Sequence, residues 1–173
     1  MKPVIPHNKL PIHSVAVSHV EGNIILLGKA VALANKMHLN HVAQAKQEDY
    51  DALLVYTEKG LQIQLKQDKK SKSLVILYVD FLSDALNYRR QHGGGIKQAL
   101  ARAVGIKPGI RPSILDATAG LGQDSFLMAT LGCKVTMVER SPLIAALLYD
   151  GLERATASID LKKIVKNKKP QNS

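Results

Sequence analysis

The chain has 173 residues, a hydrophobic fraction of 46% and one cysteine, Cys133. This length fits one domain, or one domain with a small partner, and a single cysteine excludes an intrachain disulfide framework. The net charge of +10 favours a polyanionic partner such as nucleic acid. Residues 1–11 carry no secretory signal pattern, and no run reaches the ~18 apolar residues of a membrane span. We therefore expect a cytoplasmic protein that does not enter a membrane, with Cys133 reduced and buried.

The first half of the chain predicts a small α+β unit. A short strand is expected at residues 15–17, and apolar residues recur at helical spacing from 21 to 39. Strands are predicted at 51–57, 61–66 and 74–79. Because short turns join these three strands, we expect an antiparallel meander. Strict alternation in 61–66 predicts that one face of this strand is solvated.

Two groups of polar residues in this part of the chain invite a binding interpretation. His38 and His41 lie three residues apart without a cysteine or carboxylate cluster, so we predict no metal site. Arg89 and Arg90 end a predicted helix over 80–90, and His92 follows them just before three glycines. They can bind RNA phosphate beside a flexible turn, or they can complement the dipole at a helix C-terminus. Spacing alone leaves both interpretations open.

The second half predicts alternating helices and strands. A helix is expected over 96–104, the central strand over 113–116 and a second helix over 125–131. A strand over 134–139 then leads to a third helix, for which Ser141 suits the N-cap and Pro142 the first helical position. A β-α-β crossover makes its two strands parallel neighbours, as in a Rossmann-like sheet.

The turn after the central strand carries the chemistry. Its pattern Asp116-x-x-x-Gly120-x-Gly122 lies where backbone N–H groups approach a nucleotide cofactor. The third glycine of the dinucleotide pattern is absent, and Asp116 and Asp124 would repel a pyrophosphate. A carboxylate suits the cationic S-adenosylmethionine instead, and Glu139 at the next strand end suits its ribose hydroxyls. Dinucleotide binding remains a weaker alternative, as does a plain strand-to-helix turn with a solvated acid.

Specific segments of the chain share the pattern of a known family. They are Val79-Asp-Phe81, Tyr88-Arg-Arg-Gln-His-Gly-Gly-Gly95, Ala101-Arg-Ala-Val-Gly-Ile106, Asp116-Ala-Thr-Ala-Gly-Leu-Gly-Gln-Asp124, Gly132-Cys-Lys-Val-Thr-Met-Val-Glu-Arg140 and Ala145-Ala-Leu-Leu-Tyr-Asp-Gly-Leu-Glu-Arg154. Together they resemble the bacterial ribosomal RNA small subunit methyltransferase J family. The resemblance implies methylation of a guanine N2, with S-adenosylmethionine as cofactor and 16S rRNA or the small ribosomal subunit as partner. It places Gln123, Asp124, Glu139 and Arg140 at cofactor-contacting positions.

Members of that family continue further and add an Asp-Pro-Met-Phe-Pro-type motif, which is expected to hold the guanine amino group. This chain continues from Arg154 into a lysine-rich stretch without that motif. We therefore expect a C-terminally truncated chain of weak or absent activity, and no catalytic residue is assigned. The alternative is a non-catalytic RNA-binding remnant of the same family.

The resulting fold class is α/β. An N-terminal α+β unit is predicted over 1–91, an incomplete Rossmann-like methyltransferase domain over 92–159, and a disordered basic tail over 160–173.

Overall fold

The computed structural model describes residues 14–43, 50–66, 74–93 and 95–157. The chain falls into two compact units, Met1–Leu77 and Tyr78–Ser173. The domain boundary expected at residue 91 stays a prediction. The lysine-rich tail predicted over 160–173 lies outside the described residues.

The first unit is built on a five-stranded sheet in the order β2-β1-β3-β4-β5. Its elements are β1 (Val15–His19), α1 (Ile24–Met37), β2 (Asn40–His41), β3 (Ala52–Thr57), β4 (Gly60–Lys66) and β5 (Leu74–Tyr78), which ends at the boundary. The Asn23 side chain accepts hydrogen bonds from the backbone N–H groups of Ile25 and Leu26, which explains why α1 begins after residue 23. The helix ends where His38 adopts a left-handed backbone with a φ of 55°.

The sheet of this unit is mixed. β3 and β4 pair antiparallel, as predicted, but β1 pairs in parallel with both β2 and β3. The parallel pair of β1 and β2 needs a crossover connection, and α1 supplies it. The expectation of a solvated face on β4 is wrong for Gln62, which is only 9% exposed. β4 lies between β3 and β5, and an interior strand can be covered on both faces.

The second unit has helices around a two-stranded parallel sheet. Its elements are α2 (Asp84–His92), a 3-10 turn (Gly95–Lys97), α3 (Ala99–Ala103), β6 (Ser113–Asp116), α4 (Gln123–Thr130), β7 (Lys134–Met137) and α5 (Pro142–Ala157). β6 and β7 run parallel with Asp116 opposite Met137, which confirms the predicted crossover. The Ser141 hydroxyl accepts from the Ile144 N–H at 3.4 Å, as expected for the start of α5. Cys133 is buried, also as expected.

One predicted helix of this unit is wrong in extent. Residues 96–104 do not form a continuous helix, because Gln98 has an extended backbone with a ψ of 152°. The Gln98 side chain instead donates to the Gly95 carbonyl at 2.8 Å, which stabilises the 3-10 turn ahead of the short α3. Across the described ranges, no helix combines the length and apolar character needed to cross a bilayer.

Candidate cofactor-binding turn

The turn between β6 and α4 begins at a carboxylate held by two donors. The Asp116 Oδ1 atom accepts from the Thr118 N–H at 3.2 Å, and its Oδ2 atom accepts from the Ser125 hydroxyl at 2.6 Å. Ser125 is buried in α4, so this bond ties the start of the helix to the end of the strand. Asp116 is therefore fixed at the carboxyl end of β6, where parallel sheets bind ligands.

The two glycines of the turn have different surroundings. Both have positive φ angles, 53° at Gly120 and 72° at Gly122, so both positions favour glycine. A Cβ atom on Gly122 would lie 2.5 Å from Leu148 Cδ1 and 3.1 Å from Phe81 Cζ, so the inner side of the turn has no room for a side chain. A Cβ atom on Gly120 would meet nothing closer than the Thr118 carbonyl at 4.0 Å. The turn is thus packed on one side and open at Gly120.

Glu139 is bonded to the turn from the end of β7. Its Oε2 atom accepts from the Gly120 N–H at 2.9 Å, and its Oε1 atom accepts from the Ser141 N–H at 2.7 Å. Each carboxylate oxygen can accept more than one hydrogen bond, so Glu139 keeps acceptor capacity for a ligand hydroxyl. The sequence placed Glu139 at a strand end, but its bond to Gly120 was not predicted.

The support beneath the turn comes from residues 79–81 and α5, which the sequence pattern did not link to the site. Phe81 is 1% exposed and stacks on Phe126 of α4 with ring centroids 4.5 Å apart. Two residues earlier, Val79 packs on Gly151 of α5, where a Cβ atom would lie 2.4 Å from the valine Cγ1. The Arg154 guanidinium donates to the Val79 carbonyl and, at 2.8 Å, to Asp150. The sequence shows that Val79 and Phe81 are apolar, but it does not show which residues they contact.

The rim of the turn carries the remaining residues predicted from the sequence. Gln123 and Asp124 are exposed at the start of α4, and Arg140 is exposed after β7. Asp124 forms an ion pair with Arg89 of α2 at 3.0 Å. The structure therefore brings Arg89, predicted as an RNA contact, to a residue predicted as a cofactor contact. Arg90 lies on the same helix.

The charge of this region fits a cationic ligand. Asp116 and Glu139 lie at the ends of neighbouring parallel strands, while Asp124 is paired with Arg89. Two carboxylates close to one turn favour a positively charged group and disfavour a pyrophosphate. In the described part of the chain, no three His, Cys, Asp or Glu side chains group as metal ligands do.

Comparison with known proteins agrees with this geometry. A family model for SAM-dependent methyltransferases matches residues 32–169. The chain is 56% identical over 107 residues to the ribosomal RNA small subunit methyltransferase J of Stutzerimonas stutzeri, covering 62% of this chain and 40% of that protein. It is 44% identical over 142 residues to the protein of that name from Pseudomonas savastanoi, covering 79% of this chain and 52% of that protein. The chain thus spans about half the length of these curated relatives.

A solved structure shows the same fold. A SAM-dependent methyltransferase from Neisseria gonorrhoeae superposes with a TM-score of 0.61 and 30% identity, over 90% of this chain and 59% of that protein. The predicted Rossmann-like α/β class and the predicted family are both confirmed. The chain belongs to the family of SAM-dependent methyltransferases.

Proposed function

We propose that this chain binds S-adenosylmethionine at the turn between β6 and α4, as part of an enzyme that methylates a guanine N2 in 16S rRNA. The observation that carries the proposal is Glu139, whose carboxylate is bonded to the glycine turn at Gly120 and to Ser141 at the start of α5. This places an acceptor beside the open side of the turn. The names of the relatives support the RNA substrate, which in turn implies a cytoplasmic setting.

The residues of the turn have separable roles in this proposal. When bound, S-adenosylmethionine supplies an electrophilic methyl group on a positively charged sulfur. Asp116 balances positive charge on the ligand, and Glu139 accepts from its hydroxyl groups. Gly120 allows close approach of the ligand to the backbone, and Gly122 lets the turn pack on the core. Gln123, Asp124 and Arg140 contact the ligand from the rim.

Arg89, Arg90 and His92 are the proposed RNA phosphate contacts. They lie on α2, and Arg89 reaches Asp124 at the edge of the turn. The Arg89–Asp124 pair is 42% and 57% exposed, so water and salt weaken it. An arginine held this loosely can exchange its carboxylate partner for a phosphate at little cost. RNA bound along α2 would then pass the rim of the cofactor site.

Titration calorimetry with S-adenosylmethionine tests the cofactor proposal. We expect micromolar binding by the chain and a loss of about tenfold or more in Glu139→Gln, because an amide nitrogen would face one of the two N–H donors. Glu21→Gln is the matched control, since Glu21 is an exposed glutamate of the first unit. Binding by Glu139→Gln equal to that of the control would refute the assigned role.

The same titration separates the two functions that the sequence left open. A chain that binds no S-adenosylmethionine but binds RNA in a salt-sensitive way is an RNA-binding protein without a working cofactor site. Cofactor binding together with methyl transfer to small-subunit RNA would establish the enzyme. NAD binding would revive the dinucleotide alternative.

A further inference from the structure

An exposed aromatic pair lies on α2. The rings of Tyr88 and His92 stack with centroids 4.4 Å apart and an interplanar angle of 23°. Tyr88 is 68% exposed. The two residues are four positions apart, so they lie on one face of the helix. Each ring covers one face of the other, and both side chains are exposed, so a further ring can add to an end of the stack.

The packing of α2 does not account for this pair. Leu86 and Arg89 are partly buried, and α2 contacts α4. Ala85, Tyr88 and His92 are exposed and share the other face of the helix. A tyrosine that served only to hold the helix would lie on the face that contacts α4. Within the part of the chain that the structure describes, Tyr88 is 68% exposed and lies away from the partly buried face of α2.

The aromatic pair lies beside a residue that reaches the candidate cofactor site. Arg89 follows Tyr88 directly, and its guanidinium pairs at 3.0 Å with Asp124 in the first turn of α4. This ion pair connects α2 to the rim of the glycine turn. A cation beside an exposed aromatic surface is the combination that proteins use for single-stranded nucleic acid, where the cation contacts phosphate and the ring stacks on a base.

We propose that Tyr88 and His92 form a stacking platform for a nucleobase of the RNA substrate, next to the phosphate contact at Arg89. This inference rests on the proposed function. It assigns to Tyr88 a role in binding RNA, and it changes the role of His92 from phosphate contact to base stacking. Base stacking tolerates any sequence because every base has an aromatic face, so the platform positions the RNA strand without selecting the target guanine.

The adenine of the cofactor is the other source of a nucleobase. Small-molecule sites bury most of their ligand in a concave pocket. Tyr88 is open to solvent on the outer face of a surface helix, which suits one base of a long strand better than a buried cofactor ring. Separate titrations with RNA and with S-adenosylmethionine distinguish the two sources.

A short single-stranded RNA that carries 2-aminopurine is the probe, because stacking quenches the fluorescence of this base. With the full chain we expect quenching on binding. Tyr88→Leu should remove most of the quenching and weaken RNA binding by about fivefold or more, whereas Tyr88→Phe keeps the ring and should behave like the wild type. Tyr149→Leu removes another exposed tyrosine, on α5, and is the matched control.

The dependence of RNA affinity on salt concentration is a second measurement. Removal of a charge should change it, whereas removal of an aromatic ring should not. Tyr88→Leu should leave the slope of log affinity against log salt unchanged, and Arg89→Gln should reduce it by about one phosphate contact. The platform is refuted if Tyr88→Leu binds and quenches RNA like the wild type. It is also refuted if Tyr88→Leu loses S-adenosylmethionine binding and keeps RNA binding, since the ring would then belong to the cofactor. A wild-type chain that binds neither ligand refutes the proposed function itself.

Discussion

Gly122→Ala provides the sharpest test of how the turn is supported. The backbone at residue 122 has a φ of 72°, which costs an L-residue about 1 to 2 kcal/mol. The new Cβ atom would also lie 2.5 Å from a methyl group of Leu148 and 3.1 Å from the Phe81 ring. Overpacking of this kind costs about 1 to 3 kcal/mol. We therefore expect the free energy of unfolding to fall by about 2 to 5 kcal/mol.

Gly109→Ala is the matched control for Gly122→Ala. Gly109 has a similar φ of 76°, but a Cβ atom there would meet nothing within 4 Å. Substitution of Gly109 should therefore lower the free energy of unfolding only by the cost of the left-handed backbone. Urea-induced unfolding followed by circular dichroism compares the two variants. If Gly122→Ala destabilises the protein no more than Gly109→Ala does, the contacts of Phe81 and Leu148 with the turn contribute nothing, and the reasoning is refuted.

Two further predictions concern polar groups that are partly or fully buried. Burial and the neighbouring His19, whose Nδ1 lies 3.1 Å from Nε2 of His41, lower the pKa of His41 from its usual 6.5. The unfolded chain then binds a proton that the folded chain does not, so stability should fall as the pH drops through about 6.5. Urea midpoints measured across that range should show a shallower fall in His41→Gln, and equal slopes would contradict the assignment. Separately, Arg154→Met removes a cation from Asp150, which is 3% exposed, and a donor from the Val79 carbonyl. It should cost about 3 kcal/mol in thermal or urea unfolding. The double variant with Asp150→Asn should recover part of this loss; a double variant as unstable as Arg154→Met alone would count against the charge explanation.

Local patterns of the sequence predicted most of the secondary structure. Ser141 and Pro142 mark the start of α5, and that helix runs over the predicted residues. The strand that ends at Asp116 lies where the apolar run placed it, and the strand predicted over 134–139 begins as expected but ends two residues early, at Met137. These signals depend on residues a few positions apart, which local backbone preference and side-chain spacing are sufficient to encode.

Predictions were wrong where a distant part of the chain competes with local preference. The alternation in β4 predicted a solvated Gln62, but a strand on each side changes its exposure. The parallel pairing of β1 with β2 and β3 was not predicted, because it joins residues far apart in the chain. The continuous helix expected over 96–104 was wrong for a local reason instead, because the backbone at Gln98 is extended and its side chain bonds to Gly95, three residues earlier.

The family, most strands and helices, and the residue types that follow β6 and β7 could be inferred from the sequence. Which of those residues meet depends on the tertiary structure. Glu139 bonds to Gly120 across 19 positions of the chain, and Arg154 reaches Val79 across 75. Phe81 lies beneath Gly122, and Arg89 pairs with Asp124. Contacts over such separations follow from how apolar surfaces pack and from which buried polar groups then find partners, and no local sequence pattern records either outcome.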